Sequence, residues 1–420
     1  MRITVLATGS RGDIQPFLAL AYGLLQAGHE LCFVSNAIFA PLVRPYGLSF
    51  RPISWDPVES LRKQPMLAGW KWYQFPVEAR KAQRLTRQVY EQAQRESWLA
   101  CQDCEHLVYS LLSPWGYSIA DKLGIPAIPG VLHPLTPTRY FPTQLLLHNL
   151  GGTLNLFSHR LAEQALWLII RQPTNQFRTQ TLHIHPIQST NLLALLRQQK
   201  IPLLCNLSPT IIPRPLDWPG TVHMQGYWFL PAPVSWQPSA ELTEFLHQGP
   251  PPIYIGFGSM VYRDPQTVGK TVLEALRLSG QRGILARGWG GLQIDSVTSE
   301  RIFCIDEAPH DWLFPQTKAV VHHGGAGTTA AILRAGVPAI TIPYMQDQPF
   351  WAQRLQQFGV SPSPIPHKKL SVENLTEHLV MVSQDATYQT RARQIREQIR
   401  AEQGVECAVS TIEDYFRKTG

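Results

Sequence analysis

The sequence lacks several features that would assign it to a class at once. It has no run of about 18 apolar residues, the length that a membrane-spanning helix needs. No Asp-x-Asp occurs in its 420 residues, so carboxylates in that pattern are not available to hold a magnesium ion on a diphosphate. The turn after the first strand does not fit the GxGxxG pattern, which disfavours a dehydrogenase.

Cysteine and charge are also scarce. Six cysteines are scattered along the chain, and only Cys101 and Cys104 form a CxxC pair, so we expect a structural rather than a zinc or redox role. A net charge of +7 favours an anionic ligand or membrane surface but is no nucleic-acid signature, and we expect no nucleic-acid partner. The N-terminus has no signal-peptide cleavage site, which predicts a reduced, cytoplasmic protein.

The sequence does contain strands that alternate with helices in both halves. Residues 3–6 and 31–35 read as strands around a helix from about Pro16, with Gly28 at its end. The second half repeats the scheme, with a helix over 265–278 that ends at Gly280 and predicted strands at residues 253–257, 283–286, 302–305, 319–321 and 339–342. The alternation predicts an α/β protein with two doubly wound, Rossmann-like parallel sheets.

The predicted domain boundary lies in a proline-rich stretch, because prolines stiffen a connector and interrupt helices. We predict an N-terminal domain over 1–230, a linker over 231–245 and a C-terminal domain over 246–390. Residues 391–420 are predicted to form helices that pack back on the N-terminal domain. Their candidate inward positions are Ile395, Ile399, Ala408 and Ile412.

Residues 322–329, His-His-Gly-Gly-Ala-Gly-Thr-Thr, are the most informative stretch. They lie between a short apolar run and a helix-like run over 330–335. Glycines allow a ligand to approach the backbone closely, and a helix N-terminus offers unpaired N–H groups and partial positive charge. His323, Thr328 and Thr329 add side-chain donors. The pattern predicts a phosphate site, with a plain tight turn as the alternative.

Carboxylates follow two other predicted strands. Asp13, in Gly9-Ser10-Arg11-Gly12-Asp13, lies where open α/β sheets bind ligands, and it is either a general base or an N-cap of the helix. Asp347 and Gln348 suit sugar hydroxyls, although Asp-Gln before proline is also ordinary turn chemistry. Ser259 and Trp289 fall at further strand ends, where Trp289 either stacks on a base or belongs to the core.

Two irregular segments interrupt the pattern. Residues 55–100 contain a cluster of aromatics followed by basic residues, and residues 131–170 are rich in leucine and aromatics. They are either core helices that cover the sheet, or they line an apolar acceptor pocket or touch a membrane.

The motifs together resemble a known family. TGSRGDIQPF near the start, FGSM at 257–260, RGWGG at 287–291, APHDWLF at 308–314, HHGGAGTT at 322–329 and PYMQDQPFWA at 343–352 are similar to family 1 UDP-sugar-dependent glycosyltransferases. The similarity is greatest to the sterol glucosyltransferase and glycopeptide glycosyltransferase branch. It implies the GT-B fold, two facing Rossmann-like domains with the active site in the cleft between them.

The resemblance also implies roles for the residues that match its motifs. His323 would contact the donor diphosphate, and Gly325, Gly327 and Thr328 its phosphate oxygens. Asp347 and Gln348 would hold the sugar hydroxyls. Trp289 would lie near the uracil, Ser259 near the ribose or phosphate, and Ser10 and Gly12 on the other side of the diphosphate. The catalytic base would be Asp13, because this chain has no histidine after its first strand and the glycopeptide branch has an aspartate there.

The expected function is therefore transfer of a hexose, glucose by default, from a UDP-sugar to a hydroxyl of a hydrophobic acceptor such as a sterol. The resemblance implies that the reaction inverts the anomeric centre and that it needs neither a metal nor a cofactor. Two alternative functions remain: transfer to a polyketide, carotenoid or glycopeptide acceptor, and nucleotide binding without catalysis. The expected location is cytoplasmic, with or without peripheral contact to a membrane.

Overall fold

The computed structural model describes residues 1–56, 75–144, 146, 149–258, 264–288, 292, 299–344 and 347–419, with backbone alone for 75–86. The chain forms two compact units. Unit 1 comprises Met1–Leu230 and Gln403–Gly420, and unit 2 comprises Pro231–Glu402. Each unit is built on one parallel sheet, as the alternation of strands and helices predicts.

Unit 1 is built on a seven-stranded sheet in the order β3-β2-β1-β4-β5-β6-β7. Successive neighbours are parallel throughout, with Ile3 beside Leu31 on one side and His106 on the other. The order reverses between β1 and β4, and such a switch point is where open α/β sheets bind ligands. The strands are β1 Arg2–Leu6, β2 Glu30–Asn36, β3 Ser49–Ile53, β4 His106–Ser110, β5 Ala127–Val131, β6 Leu203–Cys205 and β7 Val222–Met224.

Helices cover both faces of this sheet, and the core between them is apolar, with Leu6, Val34, Tyr109 and Trp115 among its buried members. The α-helices among the described residues of the first 230 are α1 Arg11–Gln26, α2 Ala40–Val43, α3 Phe75–Ala100, α4 Trp115–Leu123, α5 Gly152–Gln176 and α6 Leu192–Gln198. Cys32, Cys101 and Cys104 belong to this core, and all six cysteines of the chain are free thiols.

Helix α1 starts earlier than the sequence predicts. It begins at Arg11, and Pro16 lies inside it. The reason is local, because Ser10 is the N-cap and Asp13, three residues later, accepts a hydrogen bond from the Ser10 N–H. The glycine-rich turn is therefore the first turn of the helix itself, and Asp13 lies within it.

Unit 2 is built on a five-stranded parallel sheet in the order β10-β9-β8-β11-β12. Its order reverses between β8 and β11, which pair through Val321 and Ile255. The strands are β8 Ile253–Gly256, β9 Gly283–Ala286, β10 Ile302–Ile305, β11 Ala319–His322 and β12 Ala339–Thr341. Their short apolar runs are buried on both faces, which is typical of parallel strands.

Helices cover this second sheet as well. They are α7 Ala240–His247, α8 Pro265–Ser279, α9 His310–Leu313, α10 Ala326–Ala335, α11 Gln348–Gln357, α12 Val372–Gln384 and α13 Ala386–Ala401, and the last helix of the chain, α14 Gly404–Thr419, belongs to unit 1. Within the ranges that the structure describes, no helix combines the length and hydropathy needed to cross a bilayer.

The ends of unit 2 differ from the predicted domain boundaries. Part of the predicted linker over 231–245 is helix α7, whose Leu242 and Phe245 are buried. The predicted break at 390/391 falls inside α13, which packs on α10 and buries Ile395 and Ile399. The chain returns to unit 1 only at Gln403, where α14 packs on α1. The continuous helix α13 is thus divided between two predicted segments but belongs to one unit.

Candidate active site

The glycine-rich octapeptide lies at the switch point of the unit 2 sheet. Strand β11 ends at His322, and Gly325 is the N-cap of α10, which begins at Ala326 rather than at residue 330. The first hydrogen bond of this helix runs from the Thr329 N–H to the Gly325 carbonyl over 2.9 Å. The N–H groups of the three residues before Thr329 are therefore directed out of the helix end, as in an anion site.

His322 and His323 lie just before this helix. His322 is fully buried, and its Nδ1 accepts a hydrogen bond from the Gly324 N–H over 3.1 Å. Burial holds the pKa of His322 well below its ordinary value. His322 is consequently a neutral side chain that fixes the turn rather than a cation.

Burial also lowers the pKa of His323, to about 4, against an opposing effect from Asp347. The Nδ1 of His323 is buried and has no hydrogen-bond partner among the described residues. Its ring lies directly over Gly325, where any Cβ would collide with Nε2. His323 is therefore a neutral imidazole with unused hydrogen-bonding capacity at the helix N-terminus, and a nearby anion would raise its pKa.

Gly327 differs from the other glycines of the turn. Its backbone is not in the left-handed region, it is exposed, and apart from its chain neighbours and the backbone of its own helix no described atom lies within 4 Å of a Cβ built on it. The packing of the described residues therefore does not require glycine here. A ligand that approached the backbone closely at this position would require it. Thr328 is half-buried next to it, and the buried hydroxyl of Thr329 has no partner within the described part of the chain.

Three further turns converge on His323 and Gly324. Gly324 has φ +87°, and a Cβ there would lie 2.9 Å from the Gln348 carbonyl oxygen at the start of α11. Gly258, after β8, has φ +59°, and its Cβ would lie 3.2 Å from His323 Cε1. A Cβ on Gly288, after β9, would lie 2.6 Å from the Gly258 oxygen. The carboxyl ends of β8, β9 and β11 thus lie next to one another.

Asp347 and Gln348 begin α11 beside this turn. The Trp351 indole Nε1 donates to Asp347 Oδ2 over 2.8 Å and so fixes the carboxylate. Gln348 is buried, and its Oε1 accepts a hydrogen bond from the Tyr344 N–H over 2.7 Å. The structure therefore brings Asp347 close to His323, while the Gln348 side-chain oxygen bonds to backbone.

Sequence reasoning missed Trp351, whose spacing of four residues from Asp347 on a helix was an available signal. It placed Gly258 and Gly288 at strand ends but assigned neither of them a role. Ser259 and Trp289, predicted to contact the nucleotide, lie outside the described residues.

The second cluster lies at the switch point of the unit 1 sheet. Asp13 Oδ2 accepts hydrogen bonds from the Ser10 N–H over 2.8 Å and from Ser10 Oγ over 2.7 Å. Gly9 has φ +134°, and a Cβ on it would lie 2.7 Å from the same Oδ2. The alternative prediction that Asp13 is the N-cap of the helix is wrong, because Ser10 is the N-cap and Asp13 is the third residue of α1. The contact with Ser10 instead orients the Asp13 carboxylate. Gly12 is exposed and, like Gly327, has no close neighbour that requires glycine.

Two polar contacts that sequence reasoning did not find support this turn. Asn36, at the end of β2, accepts a hydrogen bond from the Gly9 N–H over 3.0 Å. Thr8 and Ser113 share a buried hydrogen bond of 2.7 Å between the ends of β1 and β4. Both contacts lie at carboxyl ends of neighbouring strands, so the switch point is held rigidly.

An apolar cavity of about 170 Å³ opens at the carboxyl ends of β4 and β5 in unit 1. The predicted segment 131–170 supplies much of its wall through α5. The lining residues include Leu111, Leu132, Leu166, Trp167, Ile170 and Leu192, with Glu163 as its charged member. Arg197 neutralises Glu163 through hydrogen bonds of 2.6 and 2.8 Å. The aromatics Trp70, Trp72 and Tyr73 of the other irregular segment lie outside the described residues.

Solved structures share this architecture over nearly the whole chain. The glycotransferase of kitacinnamycin covers 99% of this chain and 98% of its own, with a TM-score of 0.70 and 16% identity. The glycosyltransferase VinC, in complex with DTDP, covers 100% of both chains, with a TM-score of 0.65 and 15% identity. The fold is thus that of the GT-B glycosyltransferases.

Two family profiles and a set of curated relatives narrow this class. Residues 3–142 match the glycosyltransferase family 28 N-terminal domain, and residues 295–413 match the C-terminal domain described as erythromycin biosynthesis protein CIII-like. The sterol 3-beta-glucosyltransferase of Emericella nidulans is 37% identical over 98% of this chain, and that of Pichia angusta is 36% identical over 98%. The chain thus matches glycosyltransferase domain families in both of its halves and is similar to sterol 3-beta-glucosyltransferases. It spans 30% and 33% of the length of these two relatives.

Proposed function

We propose that this protein is an inverting, metal-independent glycosyltransferase that moves glucose from UDP-glucose to the hydroxyl of a sterol or similar lipid alcohol. The observation that carries the proposal is the turn at the N-terminus of α10. There, outward-directed N–H groups, the unused His323 ring and an exposed glycine without a packing role meet at a topological switch point. This is the chemistry that a diphosphate needs.

Asp347 supports a sugar next to the diphosphate. Its carboxylate is fixed by Trp351 and lies near enough to His323 to act on the pKa of that ring. A fixed carboxylate beside an anion site is suited to accept hydrogen bonds from sugar hydroxyls. We assign Asp347 to the hexose, His323, Gly325, Gly327 and Thr328 to the phosphates, and Gln348 to positioning the start of α11.

The proposed reaction is an in-line displacement at the anomeric carbon. The acceptor oxygen forms a bond to that carbon while the bond to UDP breaks, and Asp13 takes the proton of the acceptor hydroxyl. The negative charge that grows on UDP is stabilised by the N-terminus of α10. One preorganised donor of this kind is commonly worth ~3–4 kcal/mol in the transition state, and a positioned base contributes about 10²–10⁴-fold.

Metal independence is supported by the donors that are present and by the absence of Asp-x-Asp from the sequence. A helix N-terminus carries the equivalent of about half a positive charge, and His323 can add a full charge if a diphosphate raises its pKa. In this proposal these groups offset the charge of the diphosphate in place of a carboxylate-bound magnesium ion.

The acceptor class is supported by two observations. The cavity in unit 1 is lined by leucine, isoleucine and tryptophan, with its single lining carboxylate paired to Arg197. The curated relatives at 36–37% identity are sterol 3-beta-glucosyltransferases. An apolar pocket with few polar groups favours a rigid hydrophobic alcohol over a glycopeptide or a soluble sugar.

The test is transfer by the purified protein from UDP-glucose to a panel of lipid alcohols, followed by mass spectrometry. We expect a β-linked sterol glucoside, an unchanged rate in EDTA, and loss of product with Asp13→Asn. A control without acceptor separates transfer from hydrolysis or epimerisation of the donor. UDP binding without any glycosylated product from sterols, carotenoids, polyketides or glycopeptides would favour a non-catalytic nucleotide-binding homologue instead.

A further inference from the structure

Helix α5 in unit 1 exposes an apolar stripe. Leu154, Phe157, Leu161 and Leu168 follow the helical spacing that places side chains on one face, and they are between 58% and 74% exposed. Ile169 extends the stripe on one side and is 66% exposed. Single exposed leucines are ordinary, but a continuous exposed stripe marks an interaction surface.

The exposed charged side chains of α5 itself have one sign. The only acidic residue of α5 is Glu163, which is buried and paired with Arg197. Arg160 and Arg171 are exposed, and because they lie eleven residues apart, about three helical turns, they line the same edge of the stripe. Apolar residues bordered by arginine match the headgroup region of an anionic lipid bilayer.

The opposite side of α5 forms a wall of the apolar cavity. Trp167 and Ile170 face the cavity, and Leu166 lines it while remaining 47% exposed. Leu112, across the opening, also lines the cavity and is 50% exposed. The cavity thus reaches the surface next to the exposed stripe.

We infer that the outer face of α5 docks unit 1 onto the surface of an anionic phospholipid bilayer, so that a lipid alcohol enters the cavity directly from the membrane. The docking surface consists of the stripe, Leu154, Phe157, Leu161, Leu168 and Ile169, with its edge of Arg160 and Arg171. The entry of an acceptor rests on the proposed function, whereas the docking does not.

The experiment is flotation of the purified full chain with vesicles of phosphatidylcholine alone and of phosphatidylcholine with phosphatidylserine. We expect the wild type to float with the mixed vesicles and to be released by salt, because cation attraction to lipid is screened. The double variant Arg160→Gln/Arg171→Gln should lose about 25-fold in partitioning to mixed vesicles, about fivefold per arginine. Leu154→Glu/Leu161→Glu should lose binding to both vesicle types, on the order of 100-fold.

Leu216→Glu is the matched control, because Leu216 lies in the same unit and is 85% exposed. It carries one such Leu→Glu change, half the charge change of the double variant, and its partitioning should stay within a factor of about two of wild type apart from the general charge effect. All these positions are exposed, so the melting temperatures of the variants should match wild type. Measuring them separates loss of docking from loss of folding.

Two results would overturn the inference. One is the absence of wild-type flotation with either vesicle. The other is a wild-type dimer, seen by light scattering, that becomes a monomer in Leu154→Glu/Leu161→Glu. The stripe would then join two copies of this chain. Transfer to detergent-dispersed sterol should survive in both double variants. If transfer is absent from every protein while flotation behaves as expected, the proposed function fails and the docking stands.

Discussion

Replacing Gly327 with alanine separates ligand binding from folding at the predicted phosphate site. Gly327 is the second residue of α10, is exposed and has an ordinary backbone conformation. Apart from its chain neighbours and the backbone of its own helix, no described atom lies within 4 Å of its missing Cβ. Alanine is favoured over glycine in a helix by up to ~1 kcal/mol and also restricts the unfolded chain, by ~0.4–1 kcal/mol. We therefore expect Gly327→Ala to raise the free energy of unfolding by about 0.5–1 kcal/mol, or the melting temperature by roughly 1–4 °C.

The same methyl group should weaken UDP binding. It occupies the space through which a phosphate oxygen reaches the N–H groups at the start of α10. A hydrogen bond to a charged group is worth ~1.5–3 kcal/mol, so losing one should raise the Kd for UDP by about 10- to 100-fold. Isothermal titration calorimetry measures this Kd, and differential scanning calorimetry measures stability in the same preparation.

Two other glycines provide the controls. Gly152 is the first residue of α5 and likewise has nothing described within 4 Å of its missing Cβ, so Gly152→Ala should leave the UDP affinity unchanged. Gly324→Ala should destabilise the protein, because φ is +87° and the methyl group would lie 2.9 Å from the Gln348 oxygen. A stabilised Gly327→Ala protein with wild-type affinity for UDP would refute the phosphate assignment.

Three further predictions concern the other site residues. Asp13→Asn retains an acceptor for the Ser10 N–H, so stability and UDP affinity should change little while kcat falls about 10²–10⁴-fold; wild-type turnover would remove Asp13 from the base role. Because the pKa of His323 is about 4 in the free protein and a diphosphate raises it, binding of UDP-glucose at pH 5–6 should take up a proton. Affinity should then rise as the pH falls from 7 to 5, and calorimetry in buffers of different ionisation enthalpy should find neither effect in His323→Gln. Trp351→Phe should raise the KM for UDP-glucose about tenfold while the Kd for UDP stays constant, since it frees the carboxylate of Asp347 and not the phosphate turn; an unchanged KM would exclude the positioning role.

The sequence predicts all five strands of the unit 2 sheet but only β1 and β2 of the seven strands of the unit 1 sheet. Parallel strands buried on both faces are short apolar runs bounded by turn residues, and the strand prediction at 283–286 matches β9 residue for residue. The position of the phosphate turn follows from the same signal, because a turn after β11 must lie at the carboxyl edge of the sheet. The resemblance to GT-B glycosyltransferases is confirmed by the fold and by the family matches.

Other features depend on contacts that no local pattern contains. The start of α1 was predicted too late, because proline at 16 outweighed the capping contact between Ser10 and Asp13. The side chain of Gln348 bonds to the Tyr344 backbone, which a preference for turns at Asp-Gln does not reveal. For 131–170, composition left a core helix and a pocket wall as alternatives. Helix α5 lines the cavity on one side and exposes leucines on the other.

The balance of charge at the α10 turn bears on whether binding of a diphosphate there needs a metal ion. A bound diphosphate brings negative charge to a place where both histidines are held neutral by burial. The helix N-terminus offsets only about half a charge, so without a metal the remaining charge must be offset by neutral donors or by a proton taken up at His323. Metal independence and proton uptake are therefore coupled expectations. If UDP-glucose binding requires magnesium and takes up no proton at pH 5–6, His323 does not carry the leaving-group charge, and the proposed mechanism is wrong at that step.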